Sequence, residues 1–477
     1  MTAEVKAPGT GPGEESGGGR EHRLGRLVTH RLLGLPLFLA VVWVTFRLVT
    51  DVAAPYVEWV SEVVNGPVAR WLAGLLGLVH LGGGWVESLV VDGILAGVGG
   101  VLAFVPVLVV LYSALAVLQD SGYMLRSGLF TEGVMRVVGL PGAAFLPMVM
   151  GFGCTVPAVL ATRALSSRRD RVLAGLLVPF MSCGARLPVF VLMASVFFTS
   201  HQGTVVFLLY LTGIVVAVVV GAVLSRTLLA APARARLQLE PPPLRRPRLR
   251  RVGSLMIRQT GSFVRNAGTV ILAASVVVWL LLAIPVRGGA GFAEPPVADS
   301  TFAGAARLAA PLLRPMGTGS WEQAGALAGG LVAKEVIVST LAQVTGVAVT
   351  EEVEPGGLAD DLREIGGGFL TATRRALEAI PGVIGIHLGD GGAGAEWAGL
   401  LDAVRGLFEE SSGGHGALAA LAFMVFVLLY TPCAATLATI RRERGVCWMA
   451  VSALGQAAVA FLVATWVYQV GRLTGLG

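Results

Sequence analysis

The chain has 477 residues, 55% of them hydrophobic and 14% charged, with a formal net charge of +6 and a mean hydropathy of +0.75. Soluble domains carry roughly 25% charged residues, so the composition excludes a soluble enzyme or binding domain and predicts an all-α polytopic membrane protein. The positive charge sits in arginine clusters between apolar segments, the pattern of cytoplasmic loops, so the expected partner is the lipid bilayer and not nucleic acid.

In chain order, residues 1–30 are rich in Gly, Glu and Pro. They read as a disordered cytoplasmic tail, without the apolar core and cleavage site of a signal peptide. Region 31–88 holds a first span over about 32–50 and a semi-polar amphipathic connection over 52–88. Further segments of the roughly 20 residues that span a bilayer fall at about 90–117, 172–198, 204–225, 268–286, 416–440 and 447–470. Two others, about 142–162 and 322–345, are shorter or carry polar interruptions, giving about 8–9 membrane segments in all.

Loop charge orients these segments. Arginines cluster before Leu32, after residue 162 (Arg163, Arg168, Arg169, Arg171), between Arg226 and Arg265 (ten Arg and one Glu), and at Arg441–Arg444. All four clusters are expected on the cytoplasmic side. The stretch 351–410 opens with Glu351, Glu352, Glu354, Asp360 and Asp361 and is expected outside. Segment 142–162 then enters and leaves from the inside, and 322–345 does so from the outside. Two inverted repeats with re-entrant or broken helices follow, as in many transporters. They cover 89–226 and 267–472, are joined by a basic cytoplasmic linker at 227–266, and the second carries an acidic insertion at 346–415.

Candidate functional residues lie where Pro and Gly interrupt apolar helices, because non-helical backbone at membrane depth is tolerated where it is buried or lines a cavity. Cys154, Cys183 and Cys433 each sit beside Pro or Gly. Their thiolates would suit Fe(II), Cu(I) or Zn(II) better than Mg or Ca, although a buried Cys can also be a small hydrophobe. Met181 and Ser182 flank Cys183 and offer thioether and hydroxyl contacts. Lys334 and Glu335 are costly in an apolar segment and default to function, with a mutually neutralising pair as the alternative. Arg186 would hold carbonyls of its broken helix, and Asp120 is either an entry residue or a helix cap. Pro157, Pro179 and Pro432 mark the breaks. Cys447 reads as structural, and His201 and His387 as solvated loop residues. No Gly-x-x-x-x-Gly-Lys-Ser/Thr loop occurs, so the chain is not expected to be an enzyme acting on ATP or GTP, nor to bind an organic cofactor.

Several motifs in order carry a resemblance. They are Gly93–Leu102, then Asp120-Ser121-Gly122-Tyr123-Met124, then Gly151-x-Gly153-Cys154-x-Val156-Pro157-Ala158, and then Arg168-Arg169-Asp170-Arg171. Pro179–Pro188, Val332–Val336, Tyr430–Thr436 and Arg441-Arg442-Glu443 complete the set. Over roughly residues 30–472 the chain resembles the membrane part of the bacterial ferrous iron transporter B family. The resemblance implies two gate-type repeats, Fe2+ as transported substrate, the bacterial cytoplasmic membrane, and pathway roles for Cys154, Cys183 and Cys433. That family usually begins with a cytosolic G domain, here replaced by a tail of about 30 residues. Either a separate GTP-binding protein is then an expected partner or transport is not GTP-gated, and small iron-uptake accessory proteins and a homo-oligomer are further expected partners. Thr155 stands where the family more usually has Asn, and Val178 where it has a polar residue. Transport of Zn2+ or Mn2+, or a non-transporting scaffold, are the alternatives.

Overall fold

The computed structural model describes residues 34–80, 82–122, 131–133, 135–230, 247–286, 291–293, 296–345, 357–382 and 398–475. The tail 1–30, Tyr123 and Met124, Glu351, Glu352 and Glu354, and His387 lie outside the described residues. The described residues form helices joined by turns, as hydrocarbon demands of a backbone that must satisfy itself.

The first half comprises α1 (Gly34–Val63), α2 (Ala69–Leu78), α3 (Trp85–Asp120), α4 (Phe145–Gly153), α5 (Thr155–Ala161), α6 (Arg168–Leu177), α7 (Leu187–Phe197) and α8 (Gln202–Arg226). The second comprises α9 (Leu249–Ala283), α10 (Thr301–Leu313), α11 (Trp321–Gly329), α12 (Val336–Val344), α13 (Leu358–Gly382), α14 (Ala398–Ser412), α15 (Gly416–Leu429), α16 (Ala434–Arg444) and α17 (Val446–Leu473).

Among the described residues, six helical stretches are long and apolar enough to cross a bilayer: α3, α6 through α7, α8, α9, α15 through α16, and α17. A bent pair, Thr131–Val137 with Gly142–Gly153, would make a seventh. The sequence count of 8–9 also includes the segment in α1, an unbroken 30-residue helix that is not among these six, and two apolar segments that the chain breaks into pieces. Helices α4 and α11 have nine residues each, about 14 Å at 1.5 Å per residue, too short to cross alone. Helix α9 begins well before the apolar run predicted at 268–286, because its arginine-rich first turns are good helix formers that hydropathy does not register.

Burial sorts the spans. In their most apolar 18-residue windows, 78% of α15 through α16 and 67% of α6 through α7 are buried, against 17% for α17 and 22% for α8. The two innermost spans are the two interrupted by proline.

Polar seams close both ends of the bundle. At one end Arg163 pairs with Glu443, and Arg444 donates to Thr162 and to the Arg171 carbonyl. Donating to the Glu443 carboxylate raises the pKa of Arg163 above its ordinary value. Arg169 donates to the Gly139 carbonyl at 2.8 Å, so the segment between Gly139 and Thr162 starts and finishes at the same end. Asp120 is there too, accepting from the Arg248 N–H at 2.8 Å and pairing with Arg251 at 3.4 Å. It thereby caps the first turn of α9.

The opposite end joins region 52–88, which is largely helical, to α13 of the acidic insertion. Trp59 donates to the Ile365 carbonyl at 3.0 Å, Trp71 to Asp361 at 2.7 Å, and Arg70 pairs with Asp361 and Glu364. The polar positions of the connection are thus the partners of the insertion. Near this end Gly317 adopts φ +80°, and a Cβ there would overlap the Tyr468 ring at 2.2 Å. Gly317→Ala is expected to cost about 2 kcal/mol from the left-handed backbone and the displaced ring, read as a lower unfolding temperature of the purified protein.

Candidate functional site

Three of the four cysteines stand at helix breaks. Cys154 is the extended residue (φ −153°, ψ 131°) between α4 and α5. After α6, a 3₁₀ turn over Val178–Phe180 leads to Cys183 (φ −77°, ψ 159°) and a second turn into α7. Cys433 (φ −58°, ψ 156°) directly precedes α16, after α15 ends at Leu429. Pro179 and Pro432 account for two of the breaks, since proline removes a backbone donor and disfavours helix in the residue before it. Pro157 instead lies in the first turn of α5, where the missing N–H costs nothing.

Cys154, Cys183 and Cys433 line one cavity of about 760 Å3, together with Thr155, Arg186, Lys334, Glu335 and Pro432. Each keeps partial exposure to that space. Among the described residues no three His, Cys, Asp or Glu side chains are close enough to share one ion. The three sulfurs therefore line the cavity without forming a closed cluster of three or more such side chains.

Charged groups complete the lining. Arg186, 1% exposed, donates to the Pro179 carbonyl at 3.4 Å and the Met181 carbonyl at 3.3 Å. Lys334, 2% exposed, donates to the Thr431 carbonyl at 2.8 Å and lies 3.2 Å above the Tyr430 ring. Among the described residues no ion pair joins it to Glu335, whose Oε2 is buried without a hydrogen-bond partner. The neutralising pair is thus absent: Lys334 turns to the α15–α16 break, while Glu335 lines the cavity with an oxygen uncommitted.

The remaining candidates lie elsewhere. Met181 and Ser182 are buried and do not line the cavity; Met181 packs where a Cβ on Gly151 would lie 2.9 Å away. Asp120 belongs to the end seam. Cys447 and His201 are exposed at helix starts. Two threonines escaped sequence reasoning as site residues. Thr155 Oγ1 lies 2.6 Å from Thr436 Oγ1, which is 3.3 Å from Cys433 Sγ. The signal was a hydroxyl residue one turn or less after a break cysteine, in a second helix whose proximity no spacing reveals. Thr155→Val and Thr436→Val are each expected to destabilise the fold by about 1 kcal/mol and the pair by less than the sum, a double-mutant cycle that thermal unfolding measures.

Comparison with known proteins places this cavity in a family. The family described as nucleoside recognition, the Gate family, matches residues 101–197 and 264–447. The family described as ferrous iron transport protein B C terminus matches 206–258. The Fe(2+) transporter FeoB of Staphylococcus aureus (strain MSSA476) is 32% identical over 456 residues, covering 94% of this chain and 59% of that protein. Its counterpart in Legionella pneumophila (strain Philadelphia 1) is 35% identical over 465 residues, with the same coverage. The chain thus spans 59% of the length of these curated relatives. No solved structure matches. Matched along both halves that build the cavity, this multi-pass membrane chain belongs to the Gate family, and over most of its length it is similar to the membrane part of Fe(2+) transporter FeoB proteins.

Proposed function

We propose that the chain conducts Fe2+ across the bacterial cytoplasmic membrane through the cavity lined by Cys154, Cys183 and Cys433. The observation that carries the reading is the convergence of three break cysteines on one cavity with Glu335, which holds an uncommitted oxygen. Thiolate with carboxylate suits a borderline divalent ion, and breaks at membrane depth are where ions exchange water for protein ligands. The names of the relatives support Fe2+ as cargo.

The architecture in this proposal is an inverted repeat. One half is α3, the α4–α5 hairpin, the α6–α7 broken span and α8; the other is α9, the α11–α12 hairpin, the α15–α16 broken span and α17. The common seam at Gly139 and Thr162 supports a re-entrant α4–α5 hairpin. The bond from Gln323 in α11 to Ser411 in α14, at 2.9 Å, ties the second hairpin to the other end. A separate GTP-binding protein, small accessory proteins and self-association belong to the same proposal.

Uptake of radiolabelled Fe2+ into proteoliposomes, with and without a GTP-binding partner, tests it. Saturable uptake is expected. Its absence under both conditions overturns the proposal, and stronger uptake of Zn2+ or Mn2+ in competition reassigns the cargo.

A further inference from the structure

Two buried cations serve the two broken spans, and they are held differently. Arg186 belongs to the break it serves. Its guanidinium bonds the Pro179 and Met181 carbonyls through Nη1 and Pro179 again through Nη2, at 3.3–3.4 Å. A planar fork on carbonyls of its own segment staples that backbone. Lys334 reaches across from the α11–α12 hairpin to the other break. Its ammonium has the Thr431 carbonyl at 2.8 Å and the Tyr430 ring face at 3.2 Å. Two weaker ties accompany it: the Ala434 N–H donates to the Leu331 carbonyl at 2.8 Å, and the Tyr430 hydroxyl to the Leu327 carbonyl at 3.3 Å. Every one of these contacts joins two separate elements, and the strongest depends on one flexible side chain.

We propose that Lys334 is a gate latch: its ammonium pins the Tyr430–Cys433 break to the α11–α12 hairpin, and this break, not the one stapled by Arg186, is the part that opens beside Cys433. Lys334 is a positioning residue in this scheme. Leaving the Thr431 carbonyl frees Ala434 and the first turn of α16 to swing with Cys433, while Cys183 stays fixed. A buried ammonium that gives up a carbonyl and a ring face must find another partner, and the unpaired Glu335 beside it is the nearest one in sequence. The proposal rests on the transport reading for what passes the gate, but its test uses no metal.

The test is amide hydrogen exchange on the metal-free full chain in detergent. Lys334→Met keeps the volume and removes the charge. It is expected to speed exchange over 430–436, Ala434 included, by roughly tenfold, since local opening is what exchange reports, and to leave 180–187 unchanged. Tyr430→Leu removes the ring and is expected to do the same, whereas Tyr430→Phe keeps the ring and is expected to stay within about twofold of the parent. In a chain whose only cysteine is Cys433, alkylation by N-ethylmaleimide should rise in parallel in Lys334→Met and Tyr430→Leu. Unchanged exchange over 430–436, or equal acceleration over 180–187, overturns the latch. If Lys334→Met does not give folded protein, Tyr430→Leu against Tyr430→Phe decides the question alone. A positive exchange result with no Fe2+ uptake would keep the latch and reject the cargo.

Discussion

Replacing Cys183 or Cys433 by serine is expected to lower Fe2+ uptake into proteoliposomes by at least about tenfold, the scale on which even supporting groups around a metal act, while Cys447→Ser leaves it unchanged. The contrast follows from position. Cys183 and Cys433 line the cavity at the ends of interrupted helices, where a serine oxygen is a harder and weaker ligand for a borderline ion. Cys447 is exposed in the first turn of α17 and is not part of the lining. Because the three cysteines line the cavity and form no closed cluster of three, single substitutions are expected to slow passage and not abolish folding. Equal uptake by parent and both variants would remove the cysteines from the pathway.

Arg186→Met is expected to be the most destabilising single change at the site, at about 3 kcal/mol. It strips a charged donor from the buried Pro179 and Met181 carbonyls, and each unsatisfied buried acceptor costs about 1–3 kcal/mol. Glu443→Gln gives the comparison. Its ion pair with Arg163, whose side chain is 61% exposed, is a rim contact worth under about 1 kcal/mol. Thermal unfolding of the two purified variants reads both, and a smaller shift for Arg186→Met than for Glu443→Gln would contradict the stapling role.

Much of this was legible in the chain. Hydropathy located α3, α8 and α17 within a few residues because an unbroken apolar run dictates a lipid-facing helix. Pro179 and Pro432 announced the breaks, since proline cannot continue the backbone ladder, and the cysteines beside them do line a common cavity. Charge alone suggested that the loops around Arg163 and Arg441–Arg444 share a side, and the Arg163–Glu443 pair joins them.

What stayed hidden was pairing over long sequence distance. Lys334 and Glu335 are neighbours, so proximity suggested that they neutralise each other. Yet Lys334 finds its partner at Thr431, 97 residues away. The Thr155–Thr436 contact spans 281 residues, and the connection 52–88 looked merely semi-polar because its partners are on α13. Met181 and Ser182 were drawn into the site by adjacency to Cys183, but both side chains are buried and neither lines the cavity.

The central claim is that an iron ion in the cavity binds sulfur. X-ray absorption at the iron edge of the purified protein loaded with Fe2+ measures this directly. The expected result is sulfur in the first coordination shell, lost when Cys154, Cys183 and Cys433 are all replaced by serine. A shell of oxygen and nitrogen alone in the parent protein would contradict the account.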